Sequence, residues 1–207
     1  MNYNTGNINK YMTKNPLKKQ RVEKLNHTII SSVGKYLKDN NETDISILDA
    51  GSGEGFIDSL LIKTYPSIKI TGVEYTSEAI QIARKMNPSV EYLQGDITNL
   101  LFEDNMFDIV LCTEVLEHIK NPEKALKEIL RVTKNHLLVT VPHEPWFCMG
   151  NLLVLKNIRR FGNPVDHVNH WTKNSFRKFL NENLGNNSCL NSLSSCFPWI
   201  VAEIIKK

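Results

Sequence analysis

Apolar runs and helical periodicities alternate along the middle of the chain. Ile45 to Asp49, Ile68 to Glu74, Val90 to Leu93, Phe107 to Thr113 and His136 to Val141 read as five strands. Between them, 56–64 and 77–86 read as helices, the second opened by a Thr76 or Ser77 cap. Asn121-Pro122 starts a third helix, with Leu126, Ile129 and Leu130 toward the core and Pro142 stopping the fifth strand. Near-continuous apolar strands separated by helices predict a parallel sheet covered on both faces. A leading helix over 16–38 places Leu25, Ile29, Val33 and Leu37 on one face. The tail breaks the rhythm. A helix over 172–183 is followed by strand-like segments near 188–196 and 199–206, which predicts antiparallel closure of one sheet edge.

The 207 residues suit one domain with a full core. A net charge of +3 is too mild to make nucleic acid the expected partner. No stretch approaches the roughly 20 apolar residues of a membrane span. The opening residues Met1 to Gly6 lack the basic-then-apolar pattern of a secretory leader, and the expected location is the cytoplasm. Cys112, Cys148, Cys189 and Cys196 show no C-x-x-C spacing, so no redox pair is expected, and no cluster of ligands along the chain suggests a metal, although scattered Asp and His could assemble one in the fold. Lys18, Lys19, Arg21 and Lys24 read as a solvated helix face.

The most informative segment is Asp49-Ala50-Gly51-Ser52-Gly53-Glu54-Gly55. It lets a ligand sit against bare backbone where a strand turns into a helix. A dinucleotide would need G-x-G-x-x-G, but the third glycine comes one position early and Phe56 stands where that pattern wants Gly. A pyrophosphate would also meet Asp49 and Glu54 at close range, whereas a cation would be favoured by them. This disfavours a nicotinamide-dependent dehydrogenase. The segment resembles the first motif of the class I S-adenosylmethionine-dependent methyltransferases. Phe107 to Ile119 and Leu137 to Pro142 are similar to the fourth- and fifth-strand segments of the small-molecule members of quinone and biotin biosynthesis. The resemblance implies a Rossmann-like seven-stranded, mostly parallel sheet with helices on both faces and an antiparallel C-terminal strand pair. It divides the single domain into an N-terminal helical extension (1–40), a cofactor-binding core (45–142), a lid or substrate insertion (143–171) and a C-terminal helix and strand pair (172–207).

On that resemblance the cofactor set is Asp49, Gly51, Ser52, Gly53, Gly55, Glu74, Tyr75, Asp96, Ile97, Thr113 and Glu114. Asp49 would hold the ammonium of the methyl donor, and Glu74 both ribose hydroxyls. Asp96 would accept from the adenine amino group with Ile97 on the ring, and Thr113-Glu114 would line the crevice. Taken singly, each has a plainer reading, since glycine turns often bind nothing and an Asp after a strand is often a cap. A non-catalytic binding partner of an active enzyme is the alternative from a different class.

Methyl transfer from a sulfonium is an in-line displacement that chiefly needs alignment, helped by a base on the acceptor side. His143 ranks first because it follows the fifth strand, then His118, which in relatives is often near the methyl donor, then His167 and His170. Asp166 would orient an imidazole and Trp171 would wall a pocket. The expected acceptor is a small molecule, accepting through oxygen or nitrogen and lipophilic in character. Residues 146–160 pair an apolar stretch with Lys156, Arg159 and Arg160, which suits a lid or, as the lesser reading, peripheral contact with a membrane.

Overall fold

A computed structural model describes residues 6–40, 44–153 and 167–207. Helices α1 (Gly6–Tyr11) and α2 (Pro16–Asn40) precede the sheet. There follow β1 (Ser46–Ala50), α3 (Phe56–Thr64), β2 (Lys69–Glu74), α4 (Ser77–Met86), β3 (Glu91–Gln94) and β4 (Phe107–Thr113). After a 3-10 turn at Leu116–His118 come α5 (Pro122–Val132), β5 (Thr133–Pro142), α6 (Trp146–Leu153), α7 (Lys173–Asn183), β6 (Ser188–Cys196) and β7 (Trp199–Lys206).

The seven strands are ordered β3-β2-β1-β4-β5-β7-β6. Strands β1 to β5 are mutually parallel, and β7 pairs antiparallel with both β5 and β6. The expected seven-stranded plan with its antiparallel edge is therefore present. The chain builds outward from β1 to β3, then returns to lay β4 on the other side of β1. That reversal opens a crevice beyond the carboxyl ends of β1 and β4, where open parallel sheets bind ligands.

Strand alternation divides the interior into two cores. Leu48, Val110, Cys112, Leu137 and Val139 face α5 and α7 through Leu126, Ile129, Phe176 and Leu180. Ile47, Ile109, Leu111 and Leu138 face α2, α3 and α4 through Leu25, Ile29, Leu61 and Ile80. Burying each such aliphatic side chain stabilises the fold by about 1.5–3 kcal/mol. Leu25, Ile29 and Val33 of the leading helix are buried as expected, and Leu37 packs at the margin.

Local differences from the sequence reading have physical causes. Strand β1 ends one residue later than expected, so Asp49 lies inside it, opposite Gly72 and Leu111. Strand β5 begins at Thr133 and retains Pro142, which sits at the strand end opposite Trp199, where a missing N–H is tolerated. Thr76 makes no side-chain cap for α4, and its hydroxyl donates to Glu74. Asn121 makes no side-chain cap for α5 either, and the helix opens on Pro122, whose fixed φ suits the first position. Residues 154–166, with Lys156, Arg159, Arg160 and Asp166, lie outside the described residues. Among the described residues no helix is long and apolar enough to cross a membrane.

Candidate active site

The glycine loop between β1 and α3 adopts backbone that side chains resist. Gly51 has φ +91° and Gly55 φ +75°, both left-handed. A Cβ on Gly51 would lie 2.4 Å from Val115 Cγ2, and one on Gly55 would lie 2.4 Å from the Tyr92 hydroxyl. The N–H groups of Gly51 and Ser52 donate to the Val73 carbonyl at 2.8 and 3.0 Å. Gly53 N–H donates to Glu74 Oε2 at 3.1 Å. Glu74 Oε1 accepts from both the N–H and the hydroxyl of Thr76 at 2.9 Å. Glu74 thus ties the end of β2 to the loop.

Beneath the loop lies a buried polar network. Tyr92 donates to Asp58 Oδ2 at 2.7 Å, and the Asn87 amide donates to the Tyr92 oxygen and the Gly55 carbonyl, both at 2.8 Å. Asp58 in turn shares a hydrogen bond with Asp49. Burial, followed by the neighbouring Asp58 and Glu74 carboxyls, pushes Asp49 well above the usual carboxylate range. Burial also raises Asp58, to about 6, against the lowering hydrogen bonds from Tyr92 and Asp49. Oδ1 of Asp49 is buried and has no hydrogen-bond partner among the described residues.

Above this network is a solvent-open pocket with about 390 Å³ of empty space, lined by Lys10, Tyr11, Asp49, Ser52, Glu54 and Glu114 among others. Its carboxyls outnumber its one cation, and that cation, Lys10, is ion-paired with Glu114. Glu114 itself holds φ +57°, a left-handed strain of about 1–3 kcal/mol that places it at the crevice. The Tyr11 ring stacks on Phe56 with centroids 4.3 Å apart, and both line the pocket.

The fold gathers Asp49, Gly51, Ser52, Thr113 and Glu114 around this crevice, with Gly53 and Glu74 joined at its loop and Gly55 turned toward Asn87 and Tyr92. Tyr75 is 74% exposed beside Glu74. Asp96 is exposed and accepts from the Thr98 N–H at 2.8 Å, closing a turn. Ile97 is buried in the core rather than standing free in the crevice. Lys10 and Tyr11 were not visible as site residues, because a six-residue helix carries no readable periodicity. Asp58 had a signal. It is an acid on the buried side of an apolar helix, and such an acid needs a partner.

On the acceptor side, ring contacts link His118 to His167 at 5.0 Å and His167 to His170 at 6.4 Å. Phe147 of α6 stacks on His167 at 5.5 Å. His170 Nδ1 lies 3.9 Å from Glu144 Oε1, and the expected partner Asp166 is outside the described residues. His143 is positioned by backbone. Its N–H donates to the Pro198 carbonyl at 2.9 Å, and it bridges to Trp171. Burial and then Lys173 lower its pKa, against the raising effect of Glu144. Trp171 is buried, packed against Phe176 and Phe179, and supports the core.

Residues 48–139, from the glycine loop through β5, match the family model described as a methyltransferase domain. The match is to a methyltransferase domain and spans somewhat less than half of the chain. The matched region contains the loop, Glu74, Asp96 and the Thr113–His118 segment, which are the parts of the crevice assembled above. The domain is 30% identical over 88 residues to the demethylmenaquinone methyltransferase of Renibacterium salmoninarum, covering 42% of this chain and 36% of that protein. The chain spans roughly a third of the length of such curated relatives. Its fold is shared with a Pyrococcus horikoshii protein (TM-score 0.72, 18% identity, 97% and 96% coverage). It is also shared with the magnesium protoporphyrin IX methyltransferase of Synechocystis, solved with bound SAH (TM-score 0.67, 17% identity, 93% and 88% coverage).

Proposed function

We propose that the methyltransferase domain transfers a methyl group from S-adenosylmethionine to an oxygen or nitrogen of a small, lipophilic acceptor. The observation that carries this reading is the buried Asp49 carboxyl, which lines a pocket rich in carboxyls and has an oxygen, Oδ1, with no donor among the described residues. A buried acceptor atom without a partner is costly, and an ammonium group satisfies it with a charge-assisted bond. The left-handed glycines let the loop pack tightly against Val115 and Tyr92, where a Cβ would clash, and so hold its backbone at the pocket.

S-adenosylmethionine supplies, when bound, a methyl group on a sulfonium whose leaving group is a neutral thioether. The protein's own residues do the rest. Asp49 takes the ammonium. Glu74 takes the ribose hydroxyls, but three of its roughly four acceptor positions are already used by Gly53 and Thr76. A two-point contact therefore requires Thr76 to let go. Asp96 keeps one oxygen for the adenine amino group, with Tyr75 alongside. Alignment of the acceptor accounts for several kcal/mol of the barrier. Trp146 and Met149 of α6, 46% and 47% exposed, suit a lid that closes over a lipophilic acceptor and excludes water. The lipophilic acceptors named for the Renibacterium and Synechocystis enzymes support that choice.

His143 removes the acceptor proton. Its lowered pKa keeps it neutral at pH 7, the form a base needs. His143→Ala should cut turnover roughly 100-fold while cofactor affinity stays within about twofold. A panel of hydroxylated and amino acceptors, assayed for the methylated product, checks this. Unchanged turnover removes His143 from the mechanism.

A further inference from the structure

The fold brings together a ligand set that spacing along the chain does not announce. Glu117, His118 and His167 each offer one ligand atom, and these atoms lie within 4.8 Å of one another. His167 is held there by its neighbours. The N–H groups of Val168 and Asn169 donate to the Glu117 carbonyl at 2.8 and 3.1 Å. The Asn169 amide donates to the carbonyls of Leu116 and Ile119 at 2.9 and 2.6 Å. Four hydrogen bonds therefore clamp 168–169 onto the 3-10 turn that carries Glu117 and His118. Such a supporting shell is what makes a ligand constellation rigid.

The ring geometry fits a shared ion. The His118 and His167 centroids are 5.0 Å apart, with their planes at 79°. Two imidazoles bound to one metal at N–metal distances near 2.0–2.1 Å, with an angle between about 90° and 109°, place their centroids about 4.5–5.2 Å apart. Phe147, stacked on His167 with planes at 28°, fixes the orientation of that ring. The Glu117 side chain is buried, where a carboxylate gains most from a cation.

We propose that Glu117, His118 and His167 bind a divalent transition metal of the zinc class. Two imidazole nitrogens and one carboxylate oxygen suit such ions, whereas magnesium and calcium prefer oxygen ligands throughout. Three protein ligands leave a coordination position for water or another oxygen donor, and the exposed His118 makes the site reachable from solvent. A ring nitrogen that holds a metal cannot take a proton, so His118 and His167 leave the list of bases and His143 and His170 stay on it. The site stands on its own geometry, independent of methyl transfer.

Zn²⁺ alone, titrated into the purified full chain against a chromophoric chelator, tests this. The expected result is one tightly held ion per chain. His118→Ala, on an exposed side chain, should weaken binding by at least about tenfold, and Glu117→Gln should do the same with unchanged circular dichroism. His27→Ala and Cys189→Ser should leave it unchanged. Substitution with Co²⁺ should give visible d–d absorption that disappears in His118→Ala. Absence of Zn²⁺ binding by a folded chain would overturn the proposal. So would binding unaltered by His118→Ala, or binding lost only in Cys189→Ser.

Discussion

Asp49→Asn is expected to weaken S-adenosylmethionine binding by roughly 30–100-fold, about 2–3 kcal/mol, the size of a charge-assisted hydrogen bond. Asparagine keeps the volume and one acceptor oxygen, so the core is spared and the loss reports charge. The pH dependence should change with it. Without ligand, Asp49 and Asp58 hold protons that isolated carboxyls would have released, chiefly because both are buried. Capture of an ammonium requires the carboxylate, so wild-type binding releases a proton. Affinity should therefore rise with pH until Asp49 ionises in the ligand-free domain, by at most about tenfold per unit for one proton. In Asp49→Asn that slope should largely vanish.

The same pair governs the stability of the ligand-free domain. Asp58 is raised from 3.8 to about 6, so its contribution to stability is fully present below about pH 4 and is lost as pH climbs through 6. Thermal midpoints should fall over that interval, and S-adenosylmethionine should restore them most at the alkaline end. Asp58→Asn should flatten the profile. A profile identical to wild type would mean that the pair does not titrate in this range.

Gly51→Ala is expected to abolish detectable S-adenosylmethionine binding and to cost about 2–4 kcal/mol of stability, some 5–12 °C in thermal midpoint. Two penalties combine. An L residue at φ +91° is strained, and its Cβ would stand 2.4 Å from Val115 Cγ2. They are separable. Adding Val115→Ala relieves the overlap and leaves the backbone strain, so the double variant should recover part of the stability and little of the binding. Full recovery would show that the left-handed conformation is dispensable.

The extent to which the sequence disclosed all this follows from range. Features set by near neighbours were legible: alternation within β4 and β5, the helix face of Leu25, Ile29 and Val33, the glycine turn and the strand pair at 188–196 and 199–206. Asp49, Glu74 and Glu114 were legible because each lies at or beside a strand end, and strand ends in a parallel sheet converge on one crevice. What escaped depends on contacts distant in sequence. Tyr11 reaches Phe56, Lys10 reaches Glu114, and Asp58 meets Asp49 and Tyr92 only once helix and sheet pack. Thr76 is a separate, local case: its hydroxyl bonds Glu74, two residues back, instead of capping α4. His118 and His167 were each visible as isolated imidazoles, while their pairing needed the Asn169 clamp.

Calorimetric titration of the folded full chain with S-adenosylmethionine, run at one pH in two buffers of different ionisation enthalpy, bears most directly on the central claim. One-to-one saturable heat that differs between buffers by the release of a proton is the predicted outcome. No heat from a chain whose thermal melt shows it intact, or tighter binding of NADH than of S-adenosylmethionine, would contradict the account.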